Sequence, residues 1–138
     1  MTTLAMIEAA DAGIPTLHGV AVHGTMWGTL NGFLHAAALL SSEDIEVKRF
    51  LDHVGASVSA LLAILPSIAD EVDRGEHAAE YGALQHHLPS AEDLVRESRA
   101  RSINDEFPDY TRALVAKAVA EGHADDSYSR LVEHFSDI

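Results

Sequence analysis

The sequence predicts an all-α protein, a multi-helix bundle built around one long helix that carries a glycine stripe. Apolar residues recur at helical spacing through almost the whole chain, and no segment alternates as a half-buried strand does. Proline, glycine and capping residues divide these segments into helix-sized lengths. With 138 residues and no internal repeat, the chain is expected to form one helical domain, 1–138, with residues 1–15 as an N-terminal extension.

The long helix, roughly 16–40, carries two stripes of residues at a spacing of four, which places each stripe on one face. The first stripe is small: Val20, Gly24, Gly28, Gly32 and Ala36. The second is polar and aromatic: Gly19, His23, Trp27, Asn31 and His35. A glycine inside a helix costs about 0.8–1.0 kcal/mol relative to alanine. Three on one face therefore indicate close approach of another helix or of a ligand, although a buried helix with satisfied polar groups explains the stripes as well.

The elements on either side of this helix follow from local signals. Residues 1–12 are expected to form a short helix that ends at Gly13 before Pro15. Ser41 with Asp44 indicates a capped helix that runs to about residue 54. The apolar segment 56–72 predicts another helix, kinked at Pro66 and stopped near Gly75.

The second half of the chain is also expected to be helical. A helix over 79–88 should break or bend at Pro89, and Ser90 with Asp93 indicates a further helix to about residue 101. Pro108 suits the first turn of the next helix, which should end before Gly122. Residues 127–135 predict a short final helix.

Composition and charge limit the classes of function. The formal charge of −13 argues against nucleic acid and against anionic membranes as partners. The chain has no cysteine, which excludes disulfides and thiolate zinc sites. No histidines lie three or four residues apart within one helix, so no metal site is expected. The sequence suggests neither a signal peptide nor an apolar run long enough to span a bilayer, and a cytoplasmic protein is expected.

The run from Leu17 to Ala36 resembles the start of the helical C-terminal domain of bacterial imine reductases and reductive aminases. The segment Gly122-His123-Ala124-Asp125-Asp126-Ser127, followed by Leu131-Val132, is similar to the closing turn and last helix of that family. The resemblance covers about residues 14–138 and implies an intertwined homodimer. It also implies a preceding dinucleotide-binding Rossmann domain, but only sixteen residues precede Leu17 and they contain no Gly-x-Gly-x-x-Gly motif. An autonomous NADPH reductase is therefore not expected, and we expect the chain itself to use no cofactor.

The resemblance also indicates changes in the pocket. The acidic residue of the family falls on Gly19, and its aromatic hydroxyl, usually tyrosine, falls on Trp27. The Met/Gln-type pair of the family falls approximately on His86 and His87, and His23 replaces a residue that is commonly aliphatic. The reductive proton-handling groups are thus missing, while imidazoles have been gained.

These changes define the candidate site. Histidine titrates near neutrality, so His23 and His87, with Glu80 close before the latter, are the candidate catalytic residues. The candidate substrate-binding residues line the implied pocket: Gly19, Trp27, Asn31, Tyr81 and His86. Each histidine taken alone is equally explained as a hydrogen-bonded or surface residue. Ordinary surface or capping roles are expected for the remaining group: His53, His77, His123 and His134.

A pocket of imine-handling ancestry without cofactor or reductive proton donor predicts a cofactor-independent, non-redox enzyme of secondary metabolism. It would act on an amine and a carbonyl through an iminium, as in a Pictet–Spengler-type condensation and cyclisation. The small-molecule substrate would contain an amine or an aromatic ring, since Trp27 can attract a cation. Two alternatives stay open: a non-catalytic small-molecule-binding or dimerisation module, and a helical subunit that completes a separately encoded Rossmann-domain reductase. A homodimer is expected, because a symmetric partner can bury the small-residue face; the alternative is a monomeric bundle in which that stripe packs internally.

Overall fold

The computed structural model describes residues 14–136, and these are helical almost throughout. The helices are α1 (Ile14–Ser41), α2 (Val47–Arg74), α3 (Leu84–Ala100), α4 (Glu106–Ala118) and α5 (Val132–Phe135). A π-helical turn, Val119–His123, and a 3-10 helix, Tyr128–Leu131, connect α4 to α5. The all-α prediction is confirmed, and the only β pairing in this part of the chain consists of two isolated bridges, Ala78 to Asp126 and Ala83 to Ser127. The helix expected over residues 1–12 lies outside the described residues.

The chain divides into two compact units at Ala38 and Leu39. The first unit contains α1 up to Ala38, and the predicted extent of this 28-residue helix is confirmed. Its threonines satisfy their own hydroxyls, since Thr25 Oγ1 and Thr29 Oγ1 each donate to the carbonyl four residues earlier at 3.0 Å. A Cβ added at Gly24 or Gly28 would meet nothing within 4 Å, so these two glycines of the stripe have no close neighbour among the described residues.

The start predicted for the second helix is wrong, because Ser41 and Asp44 close α1 instead of opening α2. Asp44 N–H donates to the Ser41 carbonyl at 3.1 Å, and Asp44 adopts a left-handed φ of 57°. An aspartate tolerates this conformation better than most residues do. Helix α2 begins only at Val47 and runs without a break through the boundary expected near residue 55.

Helix α2 continues through Pro66 and ends where predicted, at Gly75. Gly75 has a φ of 66°, and its N–H caps the carbonyls of Glu71 and Val72. The helix is amphipathic, with apolar residues at helical spacing along one face. Many of its large side chains remain exposed, among them Leu51, Leu61, Leu62 and Leu65.

Contrary to expectation, α2 is long and apolar enough to cross a bilayer. An 18-residue stretch of it has a mean hydropathy of 1.5, and none of that stretch is buried. One such helix is weak evidence for a membrane protein. The length was missed because the sequence predicted two shorter helices in place of one of 28 residues.

The two helices predicted on either side of Pro89 are a single helix, because α3 includes this proline and extends from Leu84 to Ala100. The first turn of α3 is held from outside the helix: Leu84 N–H donates to the Asp126 carbonyl at 2.9 Å, and Gln85 N–H donates to the Ala124 carbonyl at 3.0 Å. The tertiary contacts at its start thus fix the helix just before Pro89 removes one of its hydrogen bonds.

The core of the second unit lies between α3, α4 and the 3-10 helix. Leu84, Val115, Ala118 and Leu131 are buried together, at no more than 2% exposure. Pro108 is buried in the first turn of α4, as predicted. Gly122 has a φ of 96°, which lets the chain leave α4 and turn back toward the start of α3.

Two glycine substitutions in and beside α2 should have opposite effects on stability. Gly55 lies inside the helix with nothing within 4 Å of an added Cβ in the single chain, so Gly55→Ala should raise the free energy of unfolding of the monomer by about 0.8–1.0 kcal/mol. Gly75 needs a left-handed φ, so Gly75→Ala should lower the free energy of unfolding by roughly 1–2 kcal/mol. Urea denaturation followed by circular dichroism measures both. A destabilised Gly55→Ala variant would contradict the open environment of this face.

Candidate functional site

The second unit contains an apolar cavity with a volume of about 420 Å³, open to solvent on one side. Its lining comes from α2, from the segment before α3, from α3 and from the start of the 3-10 helix: Leu61, Ile64, Leu65, Ile68, Tyr81, Gly82, His87, Ser127 and Tyr128. Aliphatic side chains form one wall, and imidazole and phenol groups form the other. This combination of an apolar cavity with a few polar groups is typical of small-molecule sites.

The aliphatic wall is a consequence of helical periodicity. Leu61, Ile64, Leu65 and Ile68 are separated by three or four residues, so they share one face of α2. Opposite this wall the chain passes through Gly82, whose φ of 120° a side chain rarely adopts. The chain thereby reaches Ala83 and the buried start of α3, and His87 follows one turn into the helix.

His87 and Tyr128 contact each other at the polar side of the cavity. Their ring centroids lie 5.1 Å apart and their planes are inclined by 69°, an edge-to-face arrangement. The pKa of the Tyr128 phenol is raised, first because burial disfavours the phenolate and second because of the charge of Tyr110. Tyr128 is therefore a neutral hydrogen-bond donor at physiological pH.

The structure places two of the predicted residues, His87 and Tyr81, in this cavity. Their neighbours lie elsewhere. His86 is exposed and does not line the cavity. Glu80 lines a separate hollow of about 260 Å³ beside the end of α2, where Arg74 pairs with Asp70 at 2.8 Å.

The other predicted residues lie on α1, in the first unit. His23 and Trp27 stack, with ring centroids 5.6 Å apart and planes inclined by 20°. One turn before His23, Gly19 is buried, whereas Asn31 is exposed. The sequence prediction that His23 and Trp27 share a face is therefore confirmed.

Sequence reasoning missed Tyr128 and the aliphatic wall. The periodicity of α2 was visible, but it is equally typical of a core helix. Tyr128 lies more than forty residues from His87 in the chain, so only the fold brings the two rings together. In the described part of the chain, no group of three or more His, Asp or Glu side chains is placed to hold a metal ion.

Comparison with known proteins identifies the domain. The sequence profile of the family described as NADPH-dependent reductive aminase-like, C-terminal domain, matches residues 11–137. The chain belongs to this family. The predicted resemblance is thus confirmed at the level of the helical domain.

Individual relatives agree with this assignment. An NADPH-dependent reductive aminase from Aspergillus oryzae (strain ATCC 42149 / RIB 40) is 33% identical over 128 residues, which are 91% of this chain and 43% of that protein. The reductive aminase from Aspergillus terreus in complex with NADPH4, cyclohexanone and allyl amine superposes with a TM-score of 0.84 at 32% identity. The match covers 91% of this chain and 44% of that one. The imine reductase BcSIRED from Bacillus cereus BAG3X2 superposes with a TM-score of 0.85 at 26% identity, over 93% of this chain and 45% of that one.

These relatives overturn the predicted non-redox function. The expectation of a Pictet–Spengler-type cyclase in secondary metabolism is wrong, because the relatives named above are reductive aminases and an imine reductase. The expectation rested on substitutions at the family's pocket positions, chiefly Gly19 and Trp27. Changed side chains on one helix leave the fold and the family assignment unaltered. The chain spans less than half the length of each relative.

The raised pKa of Tyr128 can be tested by spectrophotometric titration. The chain has three tyrosines, Tyr81, Tyr110 and Tyr128. We expect the last tyrosinate to form above the ordinary tyrosine pKa of about 10, and Tyr128→Phe to remove this step. Tyr81→Phe is the matched control and should leave it in place. A titration in which Tyr128→Phe removes an early step would contradict the effect of burial, provided that circular dichroism shows a folded chain throughout.

Proposed function

We propose that this chain is the substrate-binding helical half of an NADPH-dependent imine-reducing enzyme of the reductive aminase type. The observation that carries the proposal is the apolar cavity with His87 and Tyr128 on one side, in a domain whose named relatives are reductive aminases and imine reductases. The proposal replaces the cyclase hypothesis with the reading of the chain as a helical subunit. A cytoplasmic location remains part of it.

The described residues do not fit the dinucleotide by themselves. Residues 14–136 contain isolated β-bridges only, and no strand leads into a glycine-rich turn at a helix N-terminus, the arrangement that binds a pyrophosphate. We therefore assign NADPH binding to a dinucleotide-binding domain that lies outside residues 14–136, on the same polypeptide or on another one.

The cavity residues suit the proton transfers of imine formation. A ketone and a primary amine condense to an imine with loss of water, and the departing oxygen must gain protons. Tyr128 is a neutral donor, and the two ring nitrogens of the His87 imidazole can act as one donor and one acceptor. The aliphatic wall of α2 would hold the hydrocarbon parts of both substrates. On this proposal His87 and Tyr128 carry out the proton transfers. The resemblance assigns these transfers to the family's residues at the positions of Gly19 and Trp27.

A chimeric enzyme tests this function. The dinucleotide-binding half of the Aspergillus terreus reductive aminase is joined ahead of this chain, and NADPH consumption is followed with cyclohexanone and allyl amine. We expect turnover, and we expect His87→Ala to lower kcat/KM by about 10²-fold or more, the usual contribution of a general acid or base. His86→Ala is the matched control, because His86 is adjacent in sequence but does not line the cavity.

Two outcomes would contradict the proposal. Equal losses of kcat/KM in the His86→Ala and His87→Ala variants would show that the cavity takes no specific part in the reaction. A folded chimera that retains both substrates without consuming NADPH would favour the non-catalytic binding module.

We also propose that the chain forms a homodimer through the exposed surface of α1, which is apolar all round, and the apolar face of α2. In the single chain, these surfaces expose large side chains that include Leu17, Met26, Leu30, Leu34, Leu51 and Leu62. Exposed apolar surface of this extent is typical of an interface. The open space beside Gly24 and Gly28 would let a helix of the second copy approach closely.

Sedimentation velocity tests the dimer. The wild-type chain should sediment as a dimer, and Leu30→Glu and Leu62→Glu should each shift it toward the monomer, because a carboxylate buried without a partner is costly. Tyr110→Glu is the control, since Tyr110 is 56% exposed on α4, outside both faces. A wild-type monomer, or equal dissociation of all three variants, would rule out this interface.

A further inference from the structure

A buried polar cluster joins the end of α2 to the 3-10 helix. Its three inner members are Glu71, His77 and Ser129, exposed by 6%, 6% and 5%. Ser129 Oγ donates to Glu71 Oε1 at 2.7 Å, and His77 Nδ1 lies 2.7 Å from the same hydroxyl. His77 Nε2 points to Glu133 Oε1 at 3.7 Å. The sequence prediction of an ordinary surface or capping role for His77 is therefore wrong.

The proton count fixes the direction of these bonds. A serine hydroxyl has one proton, and Ser129 gives it to the Glu71 carboxylate. The hydroxyl can then only accept from His77, so Nδ1 of His77 carries a proton. The cluster is a directed chain in which His77 donates to Ser129 and Ser129 donates to Glu71.

This chain of bonds holds the segment that carries Tyr128. Ser129 follows Tyr128 directly in the 3-10 helix. The backbone adds a second connection, since Ser127 N–H donates to the His77 carbonyl at 2.8 Å. At the other end, Glu71 lies one turn after Ile68, which lines the aliphatic wall of the cavity. The cluster therefore connects the α2 wall of the cavity to the 3-10 helix that carries Tyr128.

We propose that Ser129 and His77 are positioning residues for the cavity, and that the Nδ1–H of His77 sets the position of Tyr128 against His87. The inference rests on the proposed function only in taking the cavity as the substrate site. Glu71 fixes one end of these hydrogen bonds on α2. Because Ser129 is bonded to Glu71 and adjacent to Tyr128, the position of Ser129 determines that of the tyrosine. Without the His77 donor, the Ser129 hydroxyl loses a buried partner, and the 3-10 helix is free to shift by a rotation that moves Tyr128.

Two substitutions of His77 separate this role from general stability. The side-chain amide nitrogen of asparagine takes the place of Nδ1, whereas that of the longer glutamine reaches the place of Nε2. His77→Asn should therefore keep the donor to Ser129, and His77→Gln should lose it. The readout is the NMR resonance of the His87 ring in the full chain, which is displaced by the ring current of Tyr128 at 5.1 Å. His87→Gln assigns the resonance, and Tyr128→Leu gives its position without the ring current.

We expect the His87 resonance to stay near its wild-type position in His77→Asn. In His77→Gln, the His87 resonance should move toward its position in Tyr128→Leu. The same movement is expected in Ser129→Ala, which serves as the test if His77→Gln does not fold. An unmoved His87 resonance in the folded variants would reduce the cluster to a structural role and overturn the proposal. A resonance that moves equally in His77→Asn would show that the Nδ1 donor is not the determinant. Neither result depends on NADPH consumption, so this test and that of the proposed function fail independently.

Discussion

The second unit depends on how the first turn of α3 is satisfied. A helix begins with backbone N–H groups that have no partner within the helix. In this chain the segment after α4 supplies carbonyls for two of them, from Ala124 and Asp126. Because that segment must return to α3 to do so, it brings Leu131 onto Leu84 and completes the core. The same return places Tyr128 beside His87, so one set of backbone hydrogen bonds positions both the core and the cavity.

The cavity shows how an apolar wall and a polar edge arise from different parts of the sequence. The wall is local, because residues three and four apart on α2 share one face. The polar edge is non-local, because it needs a left-handed glycine at position 82, the start of α3 and the 3-10 helix together. The buried cluster of Glu71, His77 and Ser129 connects these two sides. A buried polar network of this kind rigidifies its surroundings when every hydrogen bond is made, and loss of one partner lowers the stability of the fold. Such rigidity suits the positioning of one aromatic ring.

The exposed faces of α1 and α2 impose a second constraint on this protein. Two helices of 28 residues present more apolar surface than the small core of α3 and α4 can cover. A Cβ added at Gly24 or Gly28 of α1 would meet nothing within 4 Å, although a glycine in a helix interior is unfavourable without a compensating contact. Both observations support the proposed homodimer, in which a second copy of the chain would cover these faces.

The sequence by itself determined the helical class, the extent of α1 and the family. It also determined the end of α2 at Gly75 and the place of Pro108 in the first turn of α4. These depend on short-range rules: helical periodicity, the conformational freedom of glycine, the fixed φ of proline and a run of similar residues along one helix. The same rules misplaced the start of α2, because Ser41 and Asp44 close α1 instead. They also divided α3 at Pro89, because they could not show the tertiary hydrogen bonds at Leu84 and Gln85 that support this helix through its proline. Of the predicted site, the shared face of His23 and Trp27 was accessible from spacing alone. The contact of His87 with Tyr128, the separation of Glu80 from the cavity and the burial of His77 were decided only by the tertiary structure. Each depends on residues tens of positions apart in the chain, and the path that joins them is set by left-handed glycines and backbone bonds whose partners no local pattern specifies.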